Sequence, residues 1–172
     1  MTTPSAAPSP ARGLYFEEFQ TGSTFHSRGR TITEADIVNF AGLTGDYNPL
    51  HTDAEYAKSS IFGERIAHGM LGLSYTIGLA YQLGFLEGTI IAFTEVNWKF
   101  RAPIKIGDTI HVEMTVGELK DAPKMGGGLV TTQLKLVNQA GVTTQKGETT
   151  FLMRHRPATA EPTLPSEPAS GS

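Results

Sequence analysis

From Ile90 to Met153 the hydrophobic pattern of this chain has a period of two, and that constrains the fold more than any other feature. Ile90, Ala92, Thr94, Val96, Trp98 and Phe100 alternate with Glu95, Asn97 and Lys99, and Ile110, Val112, Met114 and Val116 alternate with His111, Glu113 and Thr115. Val130, Thr132, Leu134 and Leu136 make a third stretch. After a turn signal at Asn138 to Gly141, Val142 to Met153 make a fourth, with Gly147, Thr149, Phe151 and Met153 on one face. Successive side chains on a strand point to opposite faces, so each stretch predicts a strand with one buried face. An antiparallel run of such strands needs something apolar to cover that face.

The cover is written upstream, in Phe62 to Gly84, FGERIAHGMLGLSYTIGLAYQLG. From Met70 the residues Leu73, Ile77, Ala80 and Tyr81 recur at helical spacing, and Leu71, Leu79 and Leu83 make the remaining surface apolar as well. A helix apolar most of the way round is a buried one. Gly72 and Gly78 in its interior each cost about 1 kcal/mol relative to alanine, which points to a close approach of something to that surface. The chain therefore predicts an α+β domain in which a curved antiparallel sheet wraps one central helix, at about 69–84. Leu14 to Gly22 reads as a lead-in with aromatic anchors, and Ser23 to Ile32 as a first short strand.

Between that strand and the central helix lies a helical insertion, 34–58, with a short loop at its middle. Thr33 and Asp36 have the spacing of a capping box, and the stripe Ile37, Phe40, Ala41 ends at Gly42 and Gly45, so Asp46 is expected just past a helix C-terminus. Thr52 and Glu55 repeat the spacing ahead of Tyr56 and Ala57, which makes His51 the residue just before a helix N-cap. A carboxylate and an imidazole five residues apart, on a loop stiffened by Pro49, are a layout for acid/base chemistry. On local sequence alone, Asp46 is equally an ordinary turn residue and His51 an ordinary residue ahead of a cap. His68 and Gly69 stand at the start of the central helix, where unpaired N–H groups point outward and suit an oxyanion.

Composition narrows the remaining choices. Residues 1–11 and 157–172 hold seven of the ten prolines and almost no large apolar residue, so both are expected to be disordered tails around one domain, 12–156. A formal charge of -3 gives no reason to expect nucleic acid or an anionic membrane as partner. No secretory or membrane-spanning segment is visible, and the absence of cysteine removes disulfides and thiolate chemistry; a soluble, cytoplasmic protein is expected. Asp46, His51, Asp53 and His68 are ligand types, but their spacing matches no zinc or iron signature, so no metal is expected. His26, His111 and His155 carry no motif and read as surface or packing residues.

The string FAGLTGDYNPLH from Phe40 to His51, with Ala57 and Ser59 downstream, followed by RIAHGML and WKFRAPIKIGDTI, resembles the MaoC-like, (R)-specific enoyl-CoA hydratases (hydratase 2) of the hot-dog fold. The resemblance implies a hydro-lyase in which Asp46 and His51 hold one water and deliver its hydroxyl and proton to one face of an enoyl thioester. It further implies an oxyanion hole at the Gly69 N–H, support of the loop by Asn48 and Pro49, and a pocket-lining or supporting role for His68. No cofactor is needed beyond the coenzyme A of the substrate, and an acyl-carrier thioester is equally compatible. Lys99 and Arg101 are candidate contacts for the coenzyme's phosphates. A hot-dog thioesterase and a noncatalytic acyl-thioester binding module remain as alternatives; the first attacks the thioester carbonyl, and the second has no use for the Asp46 and His51 pair. A small sheet on one helix leaves open edges, so at least a homodimer is expected, with the strand Ile90 to Phe100 as the joining edge.

Overall fold

A computed structural model describes residues 13–157; the tails expected at 1–11 and 157–172 lie outside these residues, apart from Pro157. Six strands, β1 (Thr24–His26), β2 (Arg30–Thr31), β3 (Ile90–Phe100), β4 (Thr109–Ala122), β5 (Gly127–Asn138) and β6 (Thr143–Arg154), form one antiparallel sheet in the order β1-β4-β5-β6-β3, with β2 also on β4. Among the described residues four α-helices accompany them, α1 (Glu34–Thr44), α2 (Pro49–Thr52), α3 (Ala54–Lys58) and α4 (Gly69–Tyr81), with single 3-10 turns at Phe16–Glu18 and Pro123–Met125. No helix among the described residues is long and apolar enough to cross a membrane.

The strands β4, β5 and β6 form a meander because tight turns join them. Asn138 accepts the N–H groups of Ala140 and Val142 at 3.1 and 3.0 Å, and Gly141 takes a positive φ of 74° that a side chain would resist. Their inner faces follow the period-two pattern. Ile110, Val112, Met114, Val116, Val130, Leu134, Leu136, Phe151 and Met153 are buried together with Leu71, Leu79 and Ala80 of α4. Each large aliphatic side chain so placed contributes about 1.5–3 kcal/mol. Thr132 and Thr149, also inward, satisfy one another through a 2.8 Å hydroxyl contact.

Four local expectations need correction. The first strand is two short ones, because Gly29 and its neighbours between β1 and β2 leave the sheet before the chain rejoins β4. The central helix ends at Tyr81, and Gly84 with φ 85° turns the chain away. Its buried face is Leu71, Gly72, Thr76, Leu79 and Ala80, while Met70 and Tyr81 are exposed; where every face is apolar, the small residues decide which one approaches the sheet. A Cβ on Gly72 would stand 2.2 Å from Nε2 of Gln145. Finally, β3 lacks the buried face its alternation suggests. It is the edge strand beyond β6, irregular in register between Ile90 and Ala92 and between Phe93 and Glu95, and Ile91, Phe93, Val96 and Phe100 are exposed.

The helical insertion is fastened to this body by a polar cluster. Asp36 accepts from the Tyr75 hydroxyl (2.5 Å), from Arg30 Nη2 (2.7 Å) and from the N–H and hydroxyl of Thr33 (2.7 and 2.9 Å), so α1, α4, β2 and the α1 cap meet at one carboxylate. The Arg30 guanidinium also lies 4.2 Å over the Tyr75 ring. Burial pushes the Asp36 carboxyl up, but the bonds from Tyr75, Thr33 and Arg30 outweigh it and hold the group at about 2. A folded value below the ordinary carboxylate value means that the stabilisation is present above about pH 4 and is lost as pH falls through about 2. Asp36→Ala should therefore lower stability to urea by about 2 kcal/mol at neutral pH, with the gap to wild type closing on acidification towards pH 2.

Candidate active site

The loop between α1 and α2 is built by a succession of local bonds. Gly45 ends α1 in the left-handed region, at φ 76°, and its N–H reaches Ala41 O at 2.8 Å, which puts Asp46 just past the helix as its sequence predicts. Asp46 Oδ1 accepts the Asn48 N–H at 3.3 Å, and Asn48 Oδ1 in turn accepts the Leu50 N–H at 3.0 Å as N-cap of α2, with Pro49 at the first helical position. Asn48 and Pro49 thus form the start of α2. His51 falls within α2, not ahead of a cap. The N-cap of α3 is Asp53, which accepts from Tyr56 N at 3.0 Å, because α2 runs on through Thr52, whose hydroxyl turns back to Tyr47 O and Asn48 O.

Two histidines meet behind this loop. Nδ1 of His51 lies 2.8 Å from the carbonyl of Ile66; a carbonyl only accepts, so Nδ1 carries a proton, and in the neutral ring the lone pair is on Nε2. Nε2 of His68 lies 2.9 Å from the backbone carbonyl of Asp46 and must be the protonated nitrogen there. Its Nδ1 is buried without a protein partner. The two rings overlap at 3.9 Å and 32°, with Phe40 5.1 Å from His68. His51 is 9 % exposed and His68 only 2 %. The Asp46 carboxylate, His51 and His68 bring one polar atom each within 4.8 Å of one another.

Beside them is a pocket of about 550 Å³ lined by Phe40, Asp46, His68, Gly69, Met70 and Phe100 among others. Its floor is the start of α4. His68 is the N-cap residue but makes no side-chain cap, having turned its ring to Asp46. Leu71 N–H bonds back to His68 O at 3.1 Å, so the N–H groups of Gly69 and Met70 are the ones left to whatever enters the pocket. Gly69 packs closely here: a Cβ would lie 3.0 Å from the Phe100 ring, which would have to give way slightly.

The structure thus gathers Asp46, His51, His68 and Gly69 at one place. It does not bring Lys99 there: Lys99 stands opposite Lys146, and Lys146 opposite Lys135, on the sheet face away from α4, where a groove of about 370 Å³ runs. Arg101 follows β3, its N–H bonded to Thr144 O, and is exposed. Asp53, a possible metal ligand by type, is occupied as a cap. Two contributors were not singled out from sequence. The Ile66 carbonyl carries no side-chain signal. Gln145 does, since the β6 alternation places it on the same inward face as Gly147 and Thr149.

Comparison with known proteins places these residues in context. A family model described as "MaoC like domain" matches residues 18–139. Over 101 residues the chain is 46% identical to Protein MaoC of Klebsiella aerogenes, covering 59% of this chain and 30% of that protein, so it spans under a third of that relative's length. An (R)-specific enoyl-CoA hydratase of Rhodospirillum rubrum is 41% identical over 103 residues, 59% of this chain and 69% of that one. Among solved structures, the R-hydratase PhaJ1 of Pseudomonas aeruginosa superposes with a TM-score of 0.71 at 32% identity, over 93% of this chain and 97% of that one. The Mycobacterium tuberculosis protein Rv0216, which has a double hot-dog fold, matches with a TM-score of 0.76 at 18% identity, over 87% of this chain and 46% of that one, and so shares the fold alone. The curved six-stranded sheet around α4 is a hot-dog fold.

The opposed tautomers of the two histidines can be checked directly. Above about pH 8, where an ordinary imidazole is neutral, long-range proton–nitrogen correlation spectra should show His51 protonated on Nδ1 and His68 on Nε2. Finding His51 protonated on Nε2 would remove the lone pair that the loop presents.

Proposed function

Because the chain belongs to the MaoC-like domain family, we propose that it is a hydro-lyase that adds water to trans-2-enoyl-CoA thioesters with (R) stereochemistry, or runs the same reaction backwards on (R)-3-hydroxyacyl thioesters. One observation carries this reading: the Asp46 carboxylate and an uncapped helix end line one pocket, and the His51 imidazole, its Nδ1 engaged by the Ile66 carbonyl, brings a ring nitrogen within 4.8 Å of that carboxylate. Relatives named as (R)-specific enoyl-CoA hydratase and 3-hydroxybutyryl-CoA dehydratase, each 41% identical, support it.

Hydration makes three demands on a site. A water must lose a proton as its oxygen bonds to Cβ, a proton must reach Cα, and the negative charge that shifts to the thioester oxygen must be met. A water held between Asp46 and His51 supplies both the hydroxyl and the proton from one side, which makes the addition syn. The bare Nε2 of His51 suits it to take the proton, and the Asp46 carboxylate to orient the water. The Gly69 N–H, aligned with the helix dipole, meets the charge on the thioester oxygen. Coenzyme A or an acyl carrier brings the thioester, and the chemistry asks for no further cofactor.

A second copy completes the picture in this reading. Ile91, Phe93, Val96 and Phe100 on the edge strand β3 are exposed in the single chain, and an unpaired edge with apolar flanks calls for a partner. Since Phe100 both lines the pocket and belongs to that edge, the thioester runs along the junction of a homodimer, with Lys99 or Arg101 of the partner subunit near the coenzyme.

Crotonyl-CoA separates the alternatives, since loss of enoyl absorbance without thiol release marks a hydratase, thiol release a thioesterase, and neither a binding module. Asp46→Asn and His51→Ala should each remove nearly all hydration with the fold intact, and the double variant should be little worse than either, because both act on one water. Independent, multiplicative losses would argue against that shared water. Sedimentation at micromolar concentration should show at least a dimer, and a fully active monomer would defeat the proposed junction.

A further inference from the structure

We propose that Gln145 is a positioning residue for this reaction: it fixes the Gly69 peptide, and with it the place of the α4 N–H donors in the pocket. The assignment builds on the reading of Gly69 as oxyanion donor. Gln145 lies on the inner face of β6, between Leu136 and Phe100 in the strand register, and is 2 % exposed. An uncharged amide in that setting is tolerated only when its polar atoms are bonded. Both are: Oε1 accepts from the Trp98 indole N–H at 2.9 Å, and Nε2 donates to the Gly69 carbonyl at 3.0 Å.

An aliphatic side chain would fill the same place in the core without these requirements, so packing alone does not explain the glutamine. The fold also makes room for it at a cost, because Gly72 must lack a side chain for the Gln145 amide to reach α4. What the bond reaches is the part of the helix that faces the pocket. The Gly69 carbonyl shares a rigid planar unit with the Met70 N–H, so holding it sets the direction of that donor and the position of the Gly69 Cα. The Phe100 ring lies against the same Cα from another side. The first turn of α4 is thus held from the sheet by Gln145 and from the Asp46 loop by His68. That fixes the distance between the groups that hold water and the groups that meet the oxyanion, a distance on which turnover depends steeply.

Three variants test this. Gln145→Met keeps the volume and removes the donor; Gly72→Ala keeps the glutamine and pushes its amide away from Gly69. Each should shift the Gly69 and Met70 amide resonances in the ligand-free protein. Each should also lower kcat for crotonyl-CoA about tenfold with KM changed less than about twofold, a part of the 10²–10³-fold that complete loss of an oxyanion donor costs. Gln145→Glu supplies a proton to Gly69 only while its carboxyl is neutral, so its kcat should match wild type at low pH and gain a falling limb at higher pH that wild type lacks. Unmoved resonances in either folded variant, or wild-type kcat in all three, overturn the assignment. Wild-type protein inert towards enoyl thioesters would sink the hydratase reading instead, and the resonances would still decide whether Gln145 holds the helix end.

Discussion

The site depends on how closely α4 lies against the sheet. Gly72, Thr76 and Ala80, spaced four apart, form a buried line of small residues on α4, which lies against β4 and β5 and at Gly72 against Gln145 of β6, and the Thr76 hydroxyl avoids a buried unpaired donor by bonding back to Gly72 O at 2.9 Å. Larger residues on that line would lift the helix. Lifting it would move Gly69 away from Phe100 and open the pocket wall, so the small residues of the core set the shape of the cavity. Packing and chemistry are here one constraint.

The helical insertion that carries Asp46 has little core of its own, and polar ties set its position. Asp36 joins it to α4 and β2, and Arg65 forms a two-pronged bond to Glu34 at 2.6 and 2.7 Å. Deeper in, His51 bonds to Ile66 O and His68 to Asp46 O. The last two run in opposite senses, one from the insertion to the segment before α4 and one from α4's cap residue back to the loop. With the two rings side by side between them, the loop has two fixed points close to the Asp46 carboxylate. Directional bonds of this kind specify an orientation in a way that apolar contact does not.

How far the sequence discloses this differs from residue to residue, for physical reasons. Asp46 was legible because Gly45 is a stop signal whose meaning is purely local. The neighbouring cap was misplaced by one residue because TDAE offers two adjacent capping side chains, and the choice is made by Pro49, which starts a helical turn early enough to include Thr52 and leave Asp53 as the cap. The inner faces of β4, β5 and β6 were legible since both neighbours of each strand lie within the chain. On β3 the same alternation misleads, because its exposure depends on what lies beyond the edge. The orientation of α4 could not be read from a helix with apolar residues on all sides; only the small residues at 72, 76 and 80 distinguish one face, and their meaning depends on Gln145, 73 positions beyond Gly72.

One departure from ordinary helix chemistry ties these elements together. The starts of the other three helices are satisfied by side chains: Asp36 accepts the Thr33 N–H at α1, Asn48 caps α2 and Asp53 caps α3. At α4 the N-cap position holds His68, whose ring is turned away to the Asp46 carbonyl. A serine or aspartate there would stabilise the helix by about 1 kcal/mol and could occupy the Met70 N–H beside the pocket. The helix is held in place instead by Gln145 from below and by the apolar line against the sheet. Its open end is therefore affordable because stability is supplied where it does not compete with a ligand, and the residue that forgoes capping becomes the link between that end and the carboxylate across the pocket.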